Sequence, residues 1–294
     1  MMNCCVFNSI LISLVMIVFS ILFVRDSNEI LYYSNHSTVI YVFAGYDQKI
    51  PPEYDLRGKY WEDQVDITYS RTFLVEHVSN GEFTVNGVLF KVIPENSLPY
   101  YDMKECIRFE ASLRHFLQYH PLQKWFVKVI HDTYINISKF SVMLQELEHM
   151  YNPMKEIALA YNYFGSFPHG ASYVFSNYAV RLFLKNIDIF QRYCNQSADD
   201  VAMRDFLKYL NINQSLFYDK RICIRVPEAS KDKIPQSCPA NFSQSSIRGM
   251  PCRVSEAAML HMHKIPMTRV RNVLNNIPEN FVVFWNPQFQ YCAL

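Results

Sequence analysis

The amino-acid sequence predicts an α/β domain with a mostly parallel central sheet flanked by helices, preceded by one transmembrane helix. Two observations predict the domain. Short runs of β-branched and aromatic residues are typical of buried strands, and between them lie segments whose apolar residues recur every three to four positions. Alternating strands and helices are typical of α/β architecture. A third observation, an uncharged stretch near the start of the chain, predicts the membrane helix.

Residues 5–24 contain no charged side chain and match the length that a helix needs to cross a bilayer. A cleaved signal peptide has a shorter apolar core, a basic start and small residues before the cleavage site, and this segment lacks those features. We therefore predict an uncleaved signal anchor, although Arg25 on its C-terminal side mildly opposes a cytosolic N-terminus. The predicted organisation is a tail at 1–4, the anchor, a short stem at 25–37 and one domain at 38–294.

The domain begins with a predicted strand at 38–43 (TVIYVF), an apolar run that ends before Gly45. An amphipathic helix is predicted between residues 101 and 120, because its apolar residues share one face, and Pro121 ends it. The run at 125–130 (WFVKVI) is again typical of a strand. The remaining predicted elements are a helix whose apolar stripe starts at Ile137, a strand at 173–175, a helix capped by Ser176 that runs to Leu184, a helix at 201–210 and a loop at 227–251.

Asparagine and cysteine usage predicts that the domain lies in the lumen of the secretory pathway. Five Asn-x-Ser sequons occur, which is suggestive in a chain of 294 residues. The favoured glycosylation sites are Asn35, Asn195, Asn213 and Asn241, whereas Asn136 falls at the predicted start of a helix. Six of the 8 cysteines follow the anchor without metal-binding spacing, so we expect at least two disulfides among them, with the pairing open: Cys106, Cys194, Cys223, Cys238, Cys252 and Cys292.

Charge and glycine content exclude two classes of function. Lys and Arg total 28 against 27 Asp and Glu, the net charge is +1, and no basic run occurs, so the sequence predicts no nucleic-acid partner. The 7 glycines form no Gly-x-Gly loop of the kind that cradles a phosphate.

The segment most suited to chemistry follows the strand at 125–130. Ligands of open α/β sheets bind beyond the carboxyl ends of the strands, where His131 and Asp132 are predicted to lie. Carboxylate and imidazole groups suit a divalent cation that stabilises a diphosphate leaving group. The alternative is structural, since an aspartate after a strand is more often a turn residue or a helix cap.

The string from residue 125 to residue 137 (WFVKVIHDTYINI) resembles the W-F-x-K-A-D-D-D-T-Y-V motif of the Fringe and core-1 β1,3-galactosyltransferase family, glycosyltransferase family 31. The resemblance covers roughly residues 39–287, and further family landmarks follow in the family's order. The matching positions in the motif are Trp125, Phe126, Lys128, Asp132, Thr133 and Tyr134; the other landmarks are Trp61, Glu105 with Phe109, Tyr163 to Gly165, Gly170 to Ser176, Asp199 to Val201 and Ser255 to Ala258.

The resemblance implies a GT-A fold, single-pass type II topology in the Golgi or ER membrane, a UDP-sugar donor, Mn²⁺ and inverting transfer to a 3-hydroxyl of a glycoprotein glycan. It implies a carboxylate as general base, which maps to Asp200 with Asp199 as the alternative. The residues implied for the metal are Asp132 with His263, or His261 in its place, and His131. The residues implied for the donor are Trp125, Lys128, Thr133, Tyr134, Gly170 and Ala171.

The sequence departs from the family motif at the expected metal site. Ile130 and His131 replace two aspartates, and an ungapped count places Met262, between His261 and His263, where the family has its histidine. His169 and Ser172 replace glycines. An active hexosyltransferase therefore competes with an inactive family member that acts as a chaperone or glycan-binding protein, and with a scaffold unrelated to sugars. The expected partners are the membrane, a glycoprotein acceptor, and a second copy of the chain or a chaperone partner.

Overall fold

A computed structural model describes residues 37–43, 70–76, 81–85, 88–94, 103–130, 132–164, 167–223, 252–262, 267–277, 279–286 and 288–293. Residues Thr38–Leu294 belong to one compact unit. The predicted anchor at 5–24, Trp61 and the predicted loop at 227–251 lie outside the described residues. Among those residues, no helix is both long enough and apolar enough to cross a membrane.

The centre of the domain is a seven-stranded mixed sheet. Its strands are β1 Thr38–Phe43, β2 Ser70–Glu76, β3 Gly81–Val85, β4 Val88–Pro94, β5 Trp125–Ile130, β7 Leu159–Phe164 and β8 Phe167–Ser176. They lie in the order β3-β4-β2-β1-β5-β8-β7. The pairs β4–β2, β2–β1 and β1–β5 are parallel, whereas the pairs β3–β4, β5–β8 and β8–β7 are antiparallel. The predicted strands at 38–43 and 125–130 are confirmed, and the predicted strand at 173–175 is the end of the longer β8.

Six α-helices, two short 3₁₀ helices at Gln214–Phe217 and Val254–Glu256, and two small sheets complete the described parts of the domain. The helices are α1 Met103–Tyr119, α2 Ile137–Met150, α3 Asn177–Lys185, α4 Ile187–Cys194, α5 Asp199–Tyr209 and α6 Met267–Asn276. The strands of the two small sheets are β6 Thr133–Ile135, β9 Ile222–Cys223, β10 Cys252–Arg253, β11 Met259–His261, β12 Phe281–Asn286 and β13 Gln288–Ala293. One sheet has the strand order β6-β11-β9 and the other has the order β10-β12-β13.

Strand β5 is buried on both faces, which explains why its sequence is a nearly continuous apolar run. Val127 and Val129 face one apolar cluster, which includes residues of α2, α6 and β11. Phe126 faces a second cluster, built with residues of α1, α3, α4 and α5. The exception to the apolar run is Lys128, which is 1% exposed and therefore requires a partner.

Local sequence signals explain where three of the helices begin. Asn136 caps α2 by accepting a hydrogen bond from Lys139 N at 3.2 Å, and Ser176 caps α3 by accepting one from Ala179 N at 3.2 Å. Helix α5 begins at Asp199, two residues before the predicted start at 201. Acidic side chains in a first helical turn interact favourably with the helix dipole, which accounts for the difference.

Two disulfides confirm the expectation of at least two among the six cysteines. Cys106–Cys194 joins α1 to α4, and Cys223–Cys252 joins β9 to β10. Cys238 lies outside the described residues. Of the predicted glycosylation sites, Asn195 and Asn213 are exposed, and Asn35 and Asn241 are not among the described residues.

Candidate active site

Asp132 lies in the turn that follows β5, at the carboxyl end of a buried parallel strand, as predicted. Its backbone carbonyl accepts a hydrogen bond from Met262 N at 2.8 Å, which ties the turn to the end of β11. The structural alternative of a helix cap does not apply, because Asn136 caps the helix that follows. Asp132 is therefore held at the sheet edge by a backbone contact, in a turn as the structural alternative also expects.

His261 is the described histidine that faces Asp132. Its Nε2 atom lies 3.4 Å from Asp132 Oδ2, and the two side chains are 9% and 14% exposed. Antiparallel pairing of β6 with β11 sets this contact by placing His261 opposite Thr133. Met262 is 0% exposed and belongs to the apolar core, so the ungapped motif count selects a residue that faces away from Asp132. His131 and His263 lie outside the described residues.

His169 is a third polar side chain beside this pair. Its ring centroid lies 5.4 Å from that of His261. Its Nδ1 atom accepts a hydrogen bond from Ala171 N at 3.1 Å. The sequence analysis noted that His169 stands where the family has glycine, but it assigned this residue no role. The signal that could have marked His169 as a site residue was an imidazole in place of a glycine within a motif.

A second polar cluster surrounds Lys128. Its Nζ atom lies 3.3 Å from Asp199 Oδ2 and also donates to the Gly170 carbonyl oxygen. The same Nζ lies 5.0 Å from the ring centroid of Phe43 and 5.1 Å from that of Tyr173, where the ring faces attract a cation. These contacts direct Lys128 toward the acidic pair of α5.

Gly170 permits the close approach of α5 to β8. A Cβ atom at this position would lie 3.1 Å from both carboxylate oxygens of Asp199. Such a contact is tighter than nearly all ordinary Cβ contacts, so a larger residue would push Asp199 away. A glycine is needed here for space rather than for backbone conformation.

Asp200 carries the strongest electrostatic signal of the site. Burial and then the adjacent Asp199 charge raise its pKa from 3.8 to about 6, although the Val201 N–H and Lys128 act in the opposite direction. Asp200 Oδ1 accepts the hydrogen bond from Val201 N at 2.8 Å. A carboxylate with a pKa near neutrality accepts a proton more readily than an ordinary aspartate, as a general base must.

The two clusters meet at the segment 169–171. The ring of His169 lies beside that of His261, and the carbonyl of the next residue, Gly170, accepts a hydrogen bond from Lys128, which also pairs with Asp199. One short segment of β8 therefore lies beside His261, which faces Asp132, and is joined through Lys128 to Asp199, the neighbour of the predicted base Asp200.

Other predicted donor-binding residues occupy different environments. Trp125 lies at the opposite end of β5 from Asp132, is 0% exposed and donates from Nε1 to Glu148 Oε1 at 2.9 Å. This position in the core argues against its predicted role, because the indole has no surface left for a ligand. Thr133 is 1% exposed, Ala171 is 3% exposed, and Tyr134 is half-buried beside a cleft of about 260 Å³.

Asp132 and His261 suit a divalent cation that takes its remaining ligands from a diphosphate and water. Cations such as Mg²⁺ and Mn²⁺ are commonly held by one or two protein groups together with substrate phosphates. Within the described part of the chain, no group of three or more His, Cys, Asp or Glu side chains is arranged to hold a metal by itself. Among the same described residues, the buried Thr133 Oγ1 has no hydrogen-bond partner. This polar atom, next to Asp132 in the chain, therefore still needs one.

No family model matches this sequence, and no curated protein matches it. Among solved structures, the chain is similar to a glycosyltransferase involved in the glycosylation of the major capsid of PBCV-1. The sequence identity is 13% and the TM-score is 0.44, and the match covers 81% of this chain and 100% of that chain. A function for this chain has to come from the chemistry of its own site.

Proposed function

We propose that this protein is an inverting hexosyltransferase, similar to the Fringe and core-1 family, that transfers a sugar from a UDP donor to the 3-hydroxyl of a glycoprotein glycan. The observation that carries the proposal is Asp200. It is a carboxylate with a pKa raised to about 6, and its neighbour Asp199 pairs with Lys128 of β5, the strand that Asp132 follows. The motif resemblance supplies the choice of sugar chemistry.

In the proposed reaction, Asp200 acts on the acceptor. Its carboxylate takes the proton of the attacking hydroxyl while that oxygen forms a bond to the anomeric carbon of the donor. The bond from the anomeric carbon to the diphosphate oxygen breaks, and UDP leaves with the electron pair. Attack from the face opposite the diphosphate inverts the anomeric centre.

Lys128 and Asp199 position this base. The buried ammonium offsets the Asp199 charge and also donates to the Gly170 carbonyl, so it joins the first turn of α5, which includes Asp200, to β8. Lys128 therefore acts through Asp199 in this proposal, rather than through the donor-binding role that the motif resemblance implies.

Asp132 and His261 act on the donor. They would hold Mn²⁺, which would supply positive charge to the diphosphate as negative charge develops on the leaving group. The chain's own contribution is to orient one carboxylate oxygen and one imidazole nitrogen toward the same point, with both side chains largely buried.

A catalytically inactive family member is the second candidate, and Ile130 favours it. An apolar residue stands where the family has an aspartate, and among the described residues no group of three or more His, Cys, Asp or Glu side chains could hold a cation without other ligands. Such a protein would keep the fold for chaperoning or glycan binding.

Hydrolysis of UDP-galactose with and without Mn²⁺ separates the two candidates. We expect slow Mn²⁺-dependent release of UDP that EDTA stops. An inactive family member would release no UDP at millimolar Mn²⁺, and wild-type protein that also failed to bind UDP under those conditions would replace the enzyme proposal with the second candidate.

We also propose a single-pass type II protein of the Golgi or ER membrane with its domain in the lumen. The uncharged segment at 5–24, the exposed sequon residues Asn195 and Asn213, and the two disulfides support this topology. Protease treatment of sealed microsomes should leave the domain intact and sensitive to glycosidase. Digestion without detergent, with no glycan on the protein, would contradict it.

A further inference from the structure

The domain exposes large apolar side chains near the amino end of strand β5. Leu122 is 82% exposed, more than any other large apolar side chain among the described residues. Tyr119 and Tyr178 are 56% and 40% exposed. Single exposed apolar residues are common in folded proteins, but several that share one edge form a candidate contact surface.

Hydrogen bonds hold these residues to one edge of the domain. Leu122 lies in the turn between α1 and β5. The Asn177 Nδ2 atom donates to the carbonyl oxygens of the residues on either side of that turn position, at 3.0 and 2.8 Å. The turn is thereby fixed to the start of α3, where Tyr178 follows Asn177. We call Tyr119, Leu122 and Tyr178 the entry patch.

The entry patch lies where the N-terminal segment joins the domain. Thr38, the first residue of β1, pairs with Trp125, the first residue of β5. Trp125 follows Leu122 closely in the chain, so Thr38 lies within ~17 Å of Leu122. Residues 25–37, the predicted stem, cannot span more than ~45 Å even when fully extended. A bilayer that holds the proposed anchor is therefore always within reach of this edge.

The chemistry of the edge suits a bilayer surface. Leucine favours the apolar layer, and tyrosine rings, which are apolar with a polar tip, are enriched at the level of the lipid headgroups. The exposed Arg181 donates to the Pro121 carbonyl at 3.3 Å, which places a cation at the same turn, where it can reach headgroup phosphates. So small a contact would be weak in a free domain, but a short tether raises its effective concentration to roughly millimolar.

We propose that the entry patch lies on the bilayer, with Leu122 at the boundary between headgroups and acyl chains, and that the opposite end of β5 points into the lumen. This inference rests on the single-pass topology proposed above. Strand β5 has 6 residues and spans ~20 Å. Asp132, which follows β5, would be separated from the lipid by about that distance, which leaves room for a glycoprotein acceptor.

The test is photolabelling of the full chain in phosphatidylcholine nanodiscs that contain a lipid with a diazirine close to its headgroup. Mass spectrometry should find label in residues 5–24 and in the peptides that contain Leu122 and Tyr178. Leu122→Gln should lower labelling of the Tyr178 peptide, whose own sequence is unchanged, by about threefold or more. Leu216→Gln, at a leucine that is 66% exposed in the 3₁₀ helix Gln214–Phe217, is the matched control and should label as the wild type does.

Three results would overturn the inference while leaving the topology standing. The first is wild-type label confined to residues 1–37. The second is equal labelling of the Tyr178 peptide in Leu122→Gln and wild type. The third is a wild-type dimer that Leu122→Gln dissociates, which would assign the entry patch to a second copy of the chain. Absence of label from residues 5–24 would instead overturn the proposed topology, and this inference with it.

Discussion

The two clusters that flank the segment 169–171 differ in how they relate to the family motif. Asp199 and Asp200 match the acidic pair of the motif, with Asp199 at the glutamate position, and Lys128 connects Asp199 to Gly170 through buried contacts. Around Asp132, two carboxylates of the motif are missing. The partner of Asp132 is His261, which is far away in the sequence and precedes by one residue Met262, the position where the family has its histidine. The part of the site that we assign to the acceptor, Asp199 and Asp200 with Lys128, keeps the acidic pair of the motif, and we call it the preserved cluster. The part that we assign to the donor, Asp132 with His261, has an imidazole beside one remaining carboxylate, and we call it the rebuilt cluster.

The largest effect should come from the preserved cluster. Asp200→Asn removes the proton acceptor without changing the size of the side chain, so sugar transfer should fall by about 10²–10⁴-fold. Turnover of UDP-galactose with a glycopeptide acceptor measures it. Asp188→Asn, at an exposed residue of α4, is the matched control and should transfer at the wild-type rate. If Asp200→Asn transferred sugar at the wild-type rate, another residue would have to be the general base.

The rebuilt cluster should show a smaller loss, in donor binding. His261→Ala removes the imidazole opposite Asp132, and we expect Mn²⁺-dependent UDP affinity to fall by about 10–100-fold, the range seen when a metal site loses a supporting group. With EDTA present, wild type and variant should bind UDP equally weakly. An unchanged Mn²⁺ dependence would show that the contact with Asp132 is only structural.

Loss of Lys128 should lower the stability of the protein, and not only the rate of sugar transfer. Lys128→Met leaves the Asp199 carboxylate without its buried counter-charge, and we expect the free energy of unfolding to fall by about 3 kcal/mol. The double variant Lys128→Met with Asp199→Asn should recover part of that loss, because the uncompensated charge is gone. Denaturant unfolding of both variants measures the coupling, with the exposed Lys185→Met as control. Strictly additive losses would mean that the two groups do not interact.

The smallest effect is a shift in pH dependence. Because the pKa of Asp200 is raised to about 6, its carboxylate form, and hence transfer, should be present above that pH and be lost as the pH falls through it. Lys128 lowers the pKa of Asp200, so removing its charge should move the midpoint of the acidic limb upward. The midpoint of a transfer rate profile between pH 5 and pH 8 measures both. A midpoint near 4 in the wild type would contradict the assignment of Asp200.

Local sequence patterns predicted much of the fold because the signals are themselves local. The apolar runs of β1 and β5, the stripe of α2 and the Ser176 cap of α3 each depend on residues close in the chain. The antiparallel hairpin of β7 and β8 was not predicted in full, since His169, Gly170 and Ser172 interrupt the apolar pattern of a strand.

The choice between candidate ligands required the fold. His261 and Met262 are adjacent, and strand geometry sends their side chains to opposite faces, so only the pairing of β11 with β6 decides which one faces Asp132. Trp125 illustrates the converse, because a motif match cannot distinguish a residue that binds a ligand from one that fills the core beside Glu148. Asp200 was predicted from the motif, but its raised pKa depends on burial and on the Asp199 charge.

The central claim is that the two clusters serve two halves of one reaction, and UDP affinity at millimolar Mn²⁺ tests it most directly. Calorimetry should be performed on the wild type, Asp132→Ala and Asp200→Asn, with folding of each checked by thermal melting. We predict that Asp132→Ala loses Mn²⁺-dependent UDP binding, while Asp200→Asn binds UDP as the wild type does. Equal UDP affinity in all three proteins, or an equal loss in both variants, would contradict the division of the site into a donor half and an acceptor half.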